Sequence, residues 1–170
     1  MRPIVGLIGY GRSGKDTLAA QLTEYKRLAF ADALKREVGT MLKAVGIEVD
    51  LHGEDKGAWR DLLIYWGRKR RETDKHYWLK KVAYDIVRQP DERFVVTDVR
   101  YLNEAKWIKD HEGVLVYINR PGYKAVSEEE AITIQQILRE FEPPILVNDG
   151  TKQQLEEAFR AVMRSYYNWH

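Results

Sequence analysis

The sequence predicts an α/β fold, a five-stranded parallel sheet with helices on both faces. Two observations carry that expectation. Short apolar, β-branched runs alternate with helix-period segments along the whole chain, the pattern of strand–helix–strand units. The first apolar run also passes through a glycine-rich turn directly into a helix start. With no repeat, low-complexity segment or linker, residues 1–170 read as one domain.

That first stretch, Met1–Leu22, reads MRPIVGLIGYGRSGKDTLAAQL. Pro3–Ile8, short, apolar and rich in β-branched residues, reads as a strand in the middle of a covered sheet. Gly9-Tyr10-Gly11-Arg12-Ser13-Gly14-Lys15 supplies G-x-x-x-x-G-K, and a helix continues from Thr17 to Leu22. Strand, glycine-rich turn and helix start together form a P-loop. Gly11 and Gly14 let the backbone wrap an anion, successive N–H groups point inward, and the helix N-terminus adds its dipole. Lys15 reaches the terminal phosphates as a point charge. Where the motif usually has a hydroxyl ligand for Mg²⁺, this chain has Asp16, followed by Thr17. A carboxylate is a hard oxygen donor that suits Mg²⁺; it also complements the helix N-terminus. Arg12 is placed to offset its charge beside a triphosphate.

The remaining elements follow in order. Lys26–Ala31 is a second strand, and Asp32 caps a helix over Ala33–Val45, with Leu34, Val38, Met41, Leu42 and Val45 on one face. Gly46 closes it. Ile47–Gly57 is a polar loop. Ala58–Arg68 is a helix with Trp59, Leu62, Leu63 and Trp66 inward, followed by the basic tetrad Arg68–Arg71. Lys75–Val87 is another helix, carrying Trp78. Arg93–Val99 is the third strand, Asn103–Asp110 a helix, and Val114–Ile118 the fourth strand. After the loop Pro121–Val126, Ser127-Glu128-Glu129-Glu130 opens a helix to about Phe141 with a capping box. Ile145–Val147 is the last strand, Asn148-Asp149-Gly150 a turn, and Thr151 caps a final helix to about Ser165.

Open parallel sheets bind ligands at the carboxyl ends of their strands. That rule collects Gly9–Thr17, Asp32, Asp98–Arg100, Arg120 and Asn148–Gly150 at one edge. Asp98, ending an apolar strand, delivers a carboxylate toward metal and phosphates, or else caps the next helix. Arg100 and Glu104 at i, i+4 are either a surface pair or an arginine held by a carboxylate and offered to a phosphate. Arg60, a lone guanidinium on an apolar helix, suits a monophosphate. Trp78 is core by its spacing or a platform for a base. The Arg68–Arg71 tetrad is a solvated basic face, the lining of a substrate path, or a hold on a nucleic-acid strand.

Composition bounds the function. A net charge of +2 demands no polyanionic partner, and the absence of cysteine rules out disulfides and thiolate metal sites. The four histidines form no H-x-x-x-H pair. No leader and no membrane-length apolar run is visible, so a cytoplasmic protein is expected, without a membrane partner.

With Gly9–Thr17, the F-A-D-x-L-K stretch Phe30–Lys35 and the T-D-V-R-x-x-N-E stretch Thr97–Glu104 in view, the chain resembles the deoxynucleoside monophosphate kinases of bacteriophage type. Arg60-Asp61-Leu62-Leu63 with Trp66-Gly67, Tyr77-Trp78, Asn119-Arg120-Pro121, Ser127-Glu128 and Asn148–Thr151 extend the resemblance along nearly the whole chain. It implies a nucleoside-monophosphate-kinase fold and transfer of the γ-phosphoryl of ATP to a deoxynucleoside monophosphate, with Mg²⁺. Gly11, Arg12, Ser13, Gly14, Lys15, Asp16, Thr17, Arg120, Asn148 and Gly150 would serve ATP, and Asp16, Thr17 and Asp98 the metal. Asp32, Arg60, Gly67, Arg68, Trp78, Asp98, Arg100 and Glu104 would build the acceptor site. Lys15, Asp16, Asp98 and Arg100 would carry catalysis. Acceptor-binding helices would occupy about 50–90 and a short lid about 120–130. Ile64, Arg68 and Val126 stand where the family has Gln, Thr and His. Dephospho-coenzyme A kinase activity, another small-molecule kinase, and a nucleotide-gated nucleic-acid-binding protein are the competing readings. A nucleic-acid partner is disfavoured, and a homodimer is compatible with the sequence.

Overall fold

A computed structural model describes residues 4–167, with side chains to residue 165. Pro3, where the sequence opens the first strand, lies outside the described residues. The chain forms two compact units, one made of the segment ending at Leu28 together with that beginning at Pro90, the other of Ala29–Gln89.

The first unit holds the sheet. Strands β1 (Ile4–Ile8), β2 (Lys26–Leu28), β3 (Phe94–Val99), β4 (Val114–Asn119) and β5 (Ile145–Val147) lie in the order β2-β3-β1-β4-β5, and every pairing is parallel. The first strand is central and wholly buried, which is why its run is apolar on both faces. Its alternate residues meet different helices. Val5 and Leu7 share a core with Leu18 and Ala19 of α1 (Lys15–Gln21) and with Leu155, Phe159 and Met163 of α7 (Lys152–Tyr167). On the opposite face stands α5 (Leu102–Asp110). A Cβ at Gly6 would come within 2.7 Å of Ile108 Cδ1, so this glycine lets α5 approach the strand backbone directly. Helix α6 (Glu128–Phe141) packs beside α5 and buries Ile134 and Ile137. Helices therefore cover both faces, as expected.

The second unit is helical: α2 (Phe30–Ala44), α3 (Arg60–Thr73) and α4 (Tyr77–Val87), with a 3-10 turn at Glu54–Lys56. Val38, Leu42, Leu51 and Leu63 form its core, edged by Leu34, Trp59, Leu62 and Trp66. Two boundaries differ from the sequence expectation. The second strand pairs with β3 only over Lys26–Leu28, and helix α2 begins at once, with Ala29 at its cap. Asp32 is thus not a cap; it lies in the first helical turn, where its carboxylate complements the dipole. Helix α3 runs on through Gly67 to Thr73, so the basic tetrad is helical. Lysine and arginine are good helix formers, and the bare Gly67 leaves room for Leu34 of α2, whose Cδ2 lies 3.3 Å from where a Cβ would stand.

Candidate active site

Helix α1 starts at the glycine-rich turn. Gly14 takes φ 105° at its N-cap, a conformation that L side chains rarely adopt, and a Cβ there would strike Asn148 Nδ2. Gly14 is therefore required both by its backbone and by its neighbour. Ser13 is buried, and its carbonyl accepts from Asn148 Nδ2 at 2.8 Å. The Arg12 carbonyl accepts from Arg120 Nη1 at 3.2 Å, while the Arg120 guanidinium lies over the Tyr123 ring at 4.5 Å. Residues just past the ends of β4 and β5 thus hold the loop that follows β1. The sheet order makes this possible, since β4 adjoins β1 and β5 adjoins β4.

Lys15 is buried, and its ammonium donates to the carbonyls of Gly9 and Tyr10, both at 2.7 Å, and to Ser13 Oγ at 3.3 Å. Burial and the nearby Arg100 lower its pKa to about 8, against the opposing pull of Asp16, Glu130 and Asp98. The charges of Arg100, Asp16, Glu130 and Asp98 all act on this ammonium, so the residues at the end of β3 lie within electrostatic reach of the cradle. Asp98 occupies β3 and is half-buried.

Arg100 and Glu104 play roles different from a simple pair. Glu104 is buried, and its Oε2 accepts the backbone N–H groups of Arg100 at 2.9 Å and Tyr101 at 3.1 Å. It therefore satisfies donors at the start of α5. The guanidinium of Arg100 meets another carboxylate: its Nη1 lies 3.5 Å from Glu130 Oε1. Sequence reading missed Glu130 because it is the third of three consecutive glutamates, and only this one is buried. It also missed Arg27, whose Nη2 and Nε approach Asp16 Oδ1 at 3.2 and 3.3 Å. No periodicity links a residue on β2 to one on α1.

The oxygen donors fit a hard cation. Mg²⁺ needs only one or two carboxylates when phosphates and waters complete its shell. Asp16 is exposed and carries no bond deeper than that to Arg27, and Asp98 and Thr17 are also oxygen donors. Among the described residues no group of three or more His, Cys, Asp or Glu forms a ready-made metal cage.

The remaining expected residues belong to the helical unit. Asp32 faces His52, Oδ1 to Nδ1, at 3.7 Å. Arg60 and Arg68 are exposed on α3. Trp78 is only 2% exposed, and its Nε1 donates to the Gly67 carbonyl at 3.1 Å. Its indole joins α3 to α4, as a core aromatic does. The basic tetrad is not a bare charged face. Arg70 Nε donates to Glu37 Oε1 at 2.8 Å and its guanidinium lies 4.7 Å from the rings of both Trp66 and Tyr77; Lys69 pairs with Glu72.

Fold and site define a P-loop kinase. The chain belongs to the deoxynucleotide monophosphate kinase family, whose model matches residues 71–159. The phosphomevalonate kinase model matches residues 7–113, also more than half of the chain, so the two together describe a small-molecule kinase. Among solved structures, a sugar kinase from Janibacter sp., in an unliganded structure, is similar at TM-score 0.50 and 16% identity, covering 96% of this chain and 94% of its own. Dephospho-CoA kinase from Campylobacter jejuni is similar at TM-score 0.51 and 13% identity, covering 96% and 97%. Identities this low speak for the fold alone. Among curated proteins, none matches. Among the described residues no helix is long and apolar enough to cross a membrane.

Proposed function

We propose that this kinase transfers the γ-phosphoryl group of ATP to a deoxynucleoside monophosphate, yielding the diphosphate. The observation that carries the reading is a glycine-rich turn whose Lys15 is held on the Gly9 and Tyr10 carbonyls, beside the end of the neighbouring strand β3 with Asp98 and Arg100, inside a chain whose family model spans the Asp98–Glu104 stretch. Phosphoryl transfer asks a protein for positioning and charge neutralisation more than for covalent chemistry. In this reading the cradle amides bind the phosphates of ATP, and Lys15 leaves the Gly9 and Tyr10 carbonyls to neutralise the terminal ones. Arg100 stabilises charge on the transferring group or on the acceptor phosphate. Asp16, Thr17 and Asp98 would hold Mg²⁺, which would supply charge neutralisation at the phosphates. Gly11, Arg12, Arg120, Asn148 and Gly150 complete the ATP site.

For the acceptor we assign Arg60 and Arg68 as phosphate and base contacts, and Asp32 and Gly67 as further members of that site. Trp78, its N–H committed to Gly67, serves by holding α3 against α4. Both matching families are named for acceptors that already carry a phosphate, which favours a phosphate monoester. The pairing of Arg70 with Glu37 of α2 and of Lys69 with Glu72 weighs against the nucleic-acid reading, since those cations are already engaged.

The test is ADP release from ATP and Mg²⁺ with the four dNMPs, phosphomevalonate and dephospho-coenzyme A offered separately. Turnover with one or more dNMPs is expected. Turnover confined to another acceptor would keep the kinase and replace the substrate.

A further inference from the structure

Glu130 is the most deeply buried carboxylate beside the cradle that the mechanism above leaves without work. Its side chain is 4% exposed, and its two oxygens are used unequally. Oε2 accepts the backbone N–H of Val126 at 2.8 Å. Oε1 has no hydrogen-bond partner and lies 3.5 Å from Arg100 Nη1, on a guanidinium side chain that is 45% exposed. A buried carboxylate with one hydrogen bond is costly unless a cation compensates it. The arrangement is anchored on the backbone as well. Glu130 N–H donates to Ser127 Oγ at 3.1 Å, capping α6, and the next helical neighbour, Glu129, accepts from Tyr101 Oη at 3.1 Å. The loop that ends at Val126 also passes close to the cradle: a Cβ at Gly11 would lie 3.4 Å from Val126 Cγ1.

We propose that Glu130 is a positioning residue, whose buried carboxylate holds the Arg100 guanidinium at the phosphate cradle and links it to the loop that precedes α6. This rests on the phosphoryl-transfer reading, because it gives Arg100 a phosphate to meet. A carboxylate fixed at one oxygen by Val126 N–H has little freedom to follow a moving arginine. Its free oxygen instead defines where the guanidinium rests, half in solvent and half against charge. Arginine is long and rotamer-rich, so removing that restraint leaves it to sample many positions. Nothing in the spacing of three successive glutamates distinguishes this one; burial does.

The experiment is a double-mutant cycle on the full-length chain. Glu130→Gln keeps the size of the side chain and an acceptor for Val126 N–H but removes the charge. In the wild-type background it is expected to lower kcat/KM tenfold or more, with a melting temperature within a few degrees of wild type. In an Arg100→Ala background the same change is expected to cost less than twofold, because no guanidinium remains to be held. Equal losses in both backgrounds would mean a purely structural cap and overturn the proposal, as would a wild-type-like Glu130→Gln or a neutral Arg100→Ala. Should Glu130→Gln melt early, Glu130→Asp, which keeps the charge, takes its place in the cycle. If wild type turns over no acceptor, the substrate reading fails on its own. The cycle is then read on calorimetric affinity for inorganic triphosphate, where the same non-additivity supports the proposal and additive or absent effects overturn it.

Discussion

Asn148 Nδ2 donates to the Ser13 carbonyl at 2.8 Å, so the turn after β5 is bonded to the backbone of the phosphate cradle. The side chain is thereby committed to bracing the loop. Asn148→Ala should weaken nucleotide binding about 3- to 10-fold, the range expected for one hydrogen bond. The loss should be equal for ATP and GTP. Calorimetry with both nucleotides checks this; a change in the ATP-to-GTP ratio would instead make Asn148 an adenine contact.

Lys15 has a pKa near 8 because burial and Arg100 disfavour its charge. As pH rises through that value the ammonium loses its proton, and ATP affinity should fall. Lys15→Arg, permanently charged, should show no such fall. Stability moves the other way. Between pH 8 and the ordinary lysine value of 10.5 the unfolded chain binds more protons, so the ligand-free protein gains stability with pH in that window. A wild-type affinity that is flat from pH 7 to 9.5 would contradict the assignment.

Asp16 is tied to Arg27 at 3.2 Å, and a cation on Asp16 competes with that contact. Asp16→Asn should raise the Mg²⁺ concentration for half-maximal activity about tenfold, as expected when one of two carboxylate ligands is lost. Arg27→Ala should lower it. Magnesium titrations of both variants decide; an unchanged Mg²⁺ dependence in Asp16→Asn would remove it from the metal site.

Glu37 is the electrostatic centre of the helical unit. It accepts from Trp66 Nε1 at 2.8 Å, Arg70 Nε at 2.8 Å and Tyr77 Oη at 2.6 Å, and pairs with Lys81 at 3.2 Å. Burial pushes its carboxyl up, but these donors outweigh burial and bring it to about 2, from 4.5. A depressed carboxyl contributes stability above its unfolded pKa and loses it as pH falls toward the folded one. The linkage is worth ~3 kcal/mol. In urea unfolding, Glu37→Gln should therefore be less stable than wild type by about that amount at pH 7, with the gap closing below about pH 4.5. A gap that persists unchanged at pH 3 would contradict the linkage.

The sheet and the cradle were legible because they are local. A run such as Pro3–Ile8 and a motif such as Gly9–Lys15 carry their own geometry, and strand–helix alternation brings Asp98, Arg120 and Asn148 to the same sheet edge. Two helix caps were equally readable, Ser127 Oγ and Thr151 Oγ1 both accepting from the residue three ahead, whereas Asp32 lies inside the first turn of its helix. Contacts between distant segments were not. Nothing in the spacing says that Arg100 meets Glu130 while Glu104 turns to the backbone, or that Arg27 reaches Asp16. The start of α2 was not legible because Leu28, Ala29 and Phe30 suit strand and helix alike; β2 stops at Leu28 although β3 runs on from its partner Val96 to Val99.

The most direct test of the central claim is label transfer from [γ-³²P]ATP to a dNMP in the presence of Mg²⁺, with products separated by chromatography. Labelled dNDP, lost in Lys15→Ala, is predicted. Label appearing only as inorganic phosphate, or remaining in ATP with every dNMP, would contradict the assignment of this chain as a deoxynucleoside monophosphate kinase.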